Sequence, residues 1–186
     1  MKRILVVTLL STCLAVGLAH AGSPVKWNGK GQVSYTVVHK FHKVKGTSKF
    51  LVVKALVDDS GLQFTARALV TSFDSGNSNR DAHAMEVVDP AHFPYVTVKG
   101  AQRGFKLPAP GAKANMTLSA DVDLHGVVVT HPIKLTVEAK DASHVKIGFR
   151  FSESFTAHKM ERPSLMFIAV EDAIQIEGKA DLEARP

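Results

Sequence analysis

The chain is nearly devoid of cysteine: of 186 residues only Cys13 carries a thiol. A disulfide scaffold is therefore excluded, and so is any zinc site built on thiolates. Downstream of the first twenty-one residues no apolar stretch approaches the roughly twenty residues that a membrane-spanning helix needs, and aromatics make up just 7% of the chain. Missing too are the Gly-x-Ser-x-Gly elbow, the His-Glu-x-x-His helix, the phosphate loop and the dinucleotide glycine fingerprint. Nothing in the pattern of residues indicates an enzyme. What remains is 45% hydrophobic and 22% charged, with 13 Gly and 8 Pro, a composition that suits one globular domain.

The first residues carry an address. Met1-Lys2-Arg3 is a positive start, Ile4 to Leu18 an apolar run too short to span a bilayer, and Ala19-His20-Ala21 a small-x-small cleavage pattern. The expectation is a signal peptide over 1–21 and one exported domain over 22–186. Cys13 leaves with the leader, so the mature domain must be held by its core alone. A domain of this size buries roughly 70% of its unfolded surface, which suffices.

Positive charge is concentrated at the front. From Gly22 to Val57 there are seven lysines and no acidic residue. Such a patch fits an anionic membrane surface or an acidic partner. Export argues against nucleic acid, and no aromatic stripe interleaves the lysines as single-strand binding requires.

Apolar and polar residues alternate with period two along most of the chain, the mark of strands with one dry face. Val33, Tyr35 and Val37 open the series. Phe50 to Val57, Phe64 to Val70, Tyr95 to Lys99, Met116 to Leu124, Ile133 to Ala139, Val145 to Ser152 and Ile174 to Leu182 continue it. Turn signals at Asp58-Asp59-Ser60-Gly61, Pro108-Ala109-Pro110-Gly111, His125-Gly126 and Asp141-Ala142-Ser143 separate them. About eight strands with short connections predict an antiparallel meander, which curls into a barrel if its apolar face is to be covered and its edges removed. The exception lies between Ser72 and Pro94. There Asn79 to Glu86 reads as a helix behind a capping Ser or Asn, and Asp89-Pro90 as the N-cap and first position of a further single turn.

Small residues recur on the inward faces, where a solid barrel would carry Leu, Ile or Phe. The expected bore is therefore hollow, lined by Val37, Val53, Phe64, Ala66, Ala68, Val70, Leu118, Ala120, Leu135, Val137, Ile147, Phe149, Ile176 and Gly178. A polar head would be met at the mouth by His39, Lys40, His42, Arg80, Asp81 and His83; the alternative for Arg80 and Asp81 is that they brace the loop. Eight histidines remain after Ala21. His83 with Glu86 and His125 with His131 are candidate metal pairs, yet neither shows a third ligand, so no metal is indicated and no cofactor is expected. Asp121 and Asp123 fall on an outward face, which solubility explains.

Four segments in order carry a resemblance: Val38-His39-Lys40-Phe41-His42-Lys43-Val44-Lys45-Gly46, Ser78-Asn79-Arg80-Asp81-Ala82-His83-Ala84-Met85, Val88 to Val96 around Pro90-Ala91-His92-Phe93-Pro94, and Leu124-His125-Gly126-Val127 shortly before Pro132. Over essentially the whole mature chain the sequence resembles the YceI-like family. That resemblance implies an all-β, lipocalin-like antiparallel barrel in the bacterial periplasm, holding an isoprenoid or other amphiphilic fatty chain in an apolar tunnel. Family members often have a Phe-Gly pair in the late loop, where this chain has Pro163-Ser164-Leu165-Met166-Phe167-Ile168. The expectation is a non-catalytic carrier. Its rival is an interaction or stress-response module docking through the lysines; a homodimer is a further partner the sequence leaves open.

Overall fold

The structure, a computed structural model, describes residues 23–40, 42–165 and 168–185. The proposed signal peptide lies outside them, as do Phe41, Met166 and Phe167. Eight strands close into an antiparallel barrel: β1 (Val25–His39), β2 (His42–Asp58), β3 (Gly61–Leu69), β4 (Tyr95–Arg103), β5 (Lys113–Leu124), β6 (Val127–Ala139), β7 (His144–Ser154) and β10 (Ala173–Arg185). Between β7 and β10 sits a small hairpin, β8 (Ser164–Leu165) and β9 (Ile168–Ala169). Each barrel strand pairs with its sequence neighbour, and β10 closes the ring on β1 over Lys26↔Arg185 to Thr36↔Gln175. Among the described residues the ring has no edge strand, each barrel strand being paired on both sides along at least part of its length.

Short turns set the registers. His125 and Gly126 both have positive φ, 55° and 70°, which is the type I′ geometry that a two-residue hairpin prefers. At the β2–β3 turn the Asp58 carboxylate accepts from the Ser60 and Gly61 amides. Asp141 does the same between β6 and β7, accepting from the Ser143 and His144 amides at 2.7 and 2.8 Å. Bonds from the Ser143 amide, the Ser143 hydroxyl and the His144 ring, in that order, hold the Asp141 carboxyl down at about 2. A carboxyl depressed in the folded state contributes stability that is present above its ordinary value and lost as pH falls through the folded one. The Asp141 carboxyl resonance is therefore expected to titrate near pH 2 by NMR, with the turn amides shifting at the same midpoint; titration at an ordinary aspartate value would show the turn open in solution.

β2 contains an irregularity that conceals its length. Gly31 pairs with Leu51 but Val33 with Ser48, so β2 carries one extra residue around Lys49-Phe50. Val44, Gly46 and Ser48 face inward before this bulge, and Leu51, Val53, Ala55 and Val57 after it. A bulge reverses the parity of a strand, which is why alternation alone begins this strand at Phe50 and misses its first half.

The insertion forms α1 (Ser78–Val88), with Asn77 as its N-cap accepting from the Arg80 amide. The further single turn is present, since the Phe93 amide donates to the Asp89 carbonyl at 2.8 Å. Asp89 opens that turn, as its sequence context suggests, and has a second part as well. It is the C-cap of α1, in the left-handed region at φ 51°, and its amide donates to the Met85 carbonyl.

Candidate functional site

The barrel encloses a cavity of about 790 Å³, well within the range of small-molecule sites. Its walls come from all eight barrel strands, and its contacts are overwhelmingly aliphatic or aromatic. At one end Trp27, Leu62, Phe105, Leu107, Val145 and Leu182 meet, and Trp27, Leu62, Phe105, Val145 and Leu182 are buried. Midway along, inward-facing Tyr35, Phe64, Ala66, Val98, Leu135, Phe149 and Ile176 are only half-buried, although they point away from solvent. Side chains in a plugged barrel would bury one another; these line empty space.

Three aromatic rings show how the space is kept. Tyr35 pairs with Gly46, Phe64 with Gly100 and Phe149 with Gly178 on neighbouring strands. A Cβ built on each glycine would stand 2.3 to 2.6 Å from the partner ring, closer than side chains ever approach. Each ring thus lies across a glycine, flat to the wall, and glycine is the residue that permits it. Burial pushes the Tyr35 phenol up, the Asp81 charge adds to this and Arg80 opposes it, so at neutral pH it remains a neutral O–H group.

The other end carries a polar collar. α1 lies over the mouth, with Arg80, His83 and Glu86 among its cavity-lining residues, and His39, Glu161 and Arg162 join them. Arg80 Nη2 donates to the Ser75 carbonyl at 3.1 Å. His83 Nδ1 stands 3.1 Å from Glu86 Oε2, and His39 Nε2 donates to the Ile168 carbonyl.

Of the fourteen residues expected in the bore, twelve line the cavity: Val37, Val53, Phe64, Ala66, Ala68, Val70, Leu118, Leu135, Val137, Ile147, Phe149 and Ile176. Gly178 does not, because the Phe149 ring covers it, and Ala120 is packed in the core beside Gly100 and the Phe64 ring. At the head, Arg80, His83 and His39 reach the cavity whereas Lys40, His42 and Asp81 do not. Lys40 occupies a hairpin turn with φ 54°, His42 is exposed, and Asp81 accepts from the Ser75 amide, bracing the loop before α1. Glu161 and Arg162 escaped notice because they fall in an irregular segment with no period to place them. His125 and His131 are parted, His125 Nδ1 donating to the His158 carbonyl while its ring stacks near Phe93.

The lysines lie along the outer face of β1 and β2, from Lys26 at one end to Lys43 at the other, and Lys45 is paired with Glu177 of β10 at 2.6 Å.

Among solved structures the barrel is similar to a polyisoprenoid binding domain from Saccharophagus degradans implicated in plant cell wall breakdown, with 14% identity, a TM-score of 0.68 and coverage of 86% of this chain and 98% of that one. It is similar also to Burkholderia cenocepacia BcnA, at 18% identity, TM-score 0.65 and coverage of 81% and 95%. A Campylobacter jejuni YCEI protein follows at 12% identity, TM-score 0.60 and coverage of 79% and 88%. At these identities the likeness is one of fold. No curated protein matches the chain. The family model of the YceI-like domain matches residues 18–182, and the chain accordingly belongs to the YceI-like family.

Proposed function

We propose that this protein binds an isoprenoid or another long-chain amphiphile, tail in the bore and head at the collar, and carries it through the periplasm without chemical change. The observation that supports this most is the cavity of about 790 Å³, walled by apolar side chains and polar at one end only. A hydrocarbon guest would contribute roughly 0.8 kcal/mol for each methylene removed from water, and would restore the dispersion contacts that an empty bore lacks. Arg80 and Arg162 at the mouth suit a carboxylate, phosphate or polarised carbonyl. The leader-like segment through Ala21 supports export, and the printed description of the Saccharophagus relative as polyisoprenoid-binding supports the ligand class.

The test is native mass spectrometry of protein purified from cells, followed by organic extraction. An adduct of lipid mass that disappears on denaturation and reappears in the organic phase is expected. A persistently ligand-free protein that also refuses added prenyl or fatty chains would overturn the reading.

A further inference from the structure

The inward faces of β6 and β7 continue past the end of their ladder. The last registered pair is Lys134↔Arg150, and Pro132, with no N–H to donate, follows in β6. Carrying the register three residues further places His131 opposite Glu153, both on the inward side. The segment after β7 then turns back, with the Met160 amide bonded to the Phe155 carbonyl, and brings His158 to the same place.

The three side chains satisfy one another only in part. His158 Nδ1 lies 3.0 Å from the Val127 carbonyl. A carbonyl only accepts, so Nδ1 carries the proton, and in a neutral imidazole Nε2 is then a bare lone pair. Nε2 makes a hydrogen bond of 2.7 Å to Glu153 Oε2, and because a carboxylate accepts, that bond requires a second proton on the ring. His131 Nε2 is 2.8 Å from the same oxygen, out of hydrogen-bond alignment and without a partner, and Glu153 Oε1 is buried without one as well. The Glu153 and His158 side chains are 0% exposed. Orphaned buried polar atoms are costly and rare. A proton on His158 would relieve one contact and leave His131 Nε2 and Glu153 Oε1 as they are. A cation placed among the two Nε2 atoms and Glu153 Oε2 would give His131 Nε2 the partner it lacks and serve His158 Nε2 at the same time.

We propose that His131, Glu153 and His158 form a binding site for a single divalent transition metal, of which zinc is the best fit. Two imidazole nitrogens and one carboxylate are a donor set that zinc accepts, and the three ligand atoms lie within 4.8 Å of one another. The bond from His158 Nδ1 to Val127 supplies the outer contact that fixes the ligating tautomer. Tetrahedral zinc sets its ligand atoms roughly 3.3 Å apart, so metal entry spreads these contacts by about half an ångström. His131 is 23% exposed, which leaves a route in and room for water in the fourth position. The metal would pin the segment after β7 to the end of β6. Neither Glu153 nor His158 lines the lipid cavity, so this site stands independently of the ligand reading.

Zinc binding to purified protein stripped with a chelator is measured by equilibrium dialysis, with cobalt absorption reporting the geometry. One zinc per chain is expected. His131→Gln, at the partly exposed ligand, should weaken it on the order of 100-fold or more, and Glu153→Gln likewise, while His92→Gln, which removes an exposed histidine elsewhere, leaves it unchanged. Circular dichroism of the metal-free variants checks the fold; should Glu153→Gln not fold, His131→Gln decides. The proposal is overturned if the wild type shows no saturable one-to-one binding, or if His131→Gln, folded, binds zinc as the wild type does.

Discussion

Ala66→Trp is expected to abolish uptake of long-chain amphiphiles while the barrel stays folded. Ala66 sits midway along β3 between Val53 of β2 and Val98 of β4, and all three side chains line the cavity. A small-to-large change in a filled core forces strain of about 1–3 kcal/mol. Here the added indole enters space that is already empty, so the thermal midpoint should hold or rise. Binding answers differently. Each methylene denied its place costs roughly 0.8 kcal/mol, so excluding four of them weakens a long-chain ligand by about 100-fold or more. Titrating wild type and variant with a fluorescent fatty or prenyl chain measures the ratio. Phe50→Ala, on the outer face where Phe50 is 67% exposed, should change nothing. Equal affinity in Ala66→Trp would place the ligand outside the bore.

The barrel was legible because its evidence is spread over many residues. Eight runs of alternation, with four turn signals between them, point the same way, and tertiary context has little to override. The hollow interior was legible for a similar reason, in Ala66 and Ala68 at inward positions of β3. Features resting on one residue were less so. Asp89 before Pro90 satisfies the rule for a helix start and opens the single turn it predicts, but it is also a helix end, since α1 runs on to Val88 and needs a cap there. The extra residue near Phe50 switches the inward set of β2 from even to odd numbers, which no periodicity survives.

The His131–Glu153–His158 group divides along the same line. Val145, Ile147, Phe149 and Phe151 step directly to Glu153, and Val137, Leu135 and Ile133 step back to His131, so two polar residues on the dry face could have been read by continuing the count. His158 could not, because only the fold of an irregular segment brings it there. The collar is similar: α1 announces Arg80 and His83, whereas Glu161 and Arg162 arrive by a path without a pattern.

Gly178→Ala is expected to be among the most destabilising single-methyl changes the barrel admits, and Gly148→Ala, on the neighbouring strand, among the most innocuous. A Cβ on Gly178 would stand 2.3 Å from Phe149 Cζ and 2.8 Å from the Gln32 carbonyl oxygen, whereas on Gly148 its nearest neighbour is an oxygen at 3.9 Å. The ring must leave the wall and swing into the bore, and β1 must yield at Gln32. Overpacking of this kind costs about 1–3 kcal/mol, which for a domain of this size lowers the thermal midpoint by about 2–4 °C per kcal/mol. Gly148 has no such obstacle, and Gly→Ala at an unstrained position favours folding by about 0.4–1 kcal/mol through the unfolded chain. A second variant identifies the cause. Phe149→Leu shortens the ring's reach, so the pair Gly178→Ala with Phe149→Leu should lose less than the two single changes added together, the remainder being the Gln32 contact. Strict additivity would mean that Phe149 does not lie on Gly178. The same displacement narrows the cavity, so Gly178→Ala should also lose affinity for long chains, and Phe149→Leu should restore it. That coupling ties the stability of one cross-strand pair to the capacity of the bore, as expected if the rings are held back to keep it open.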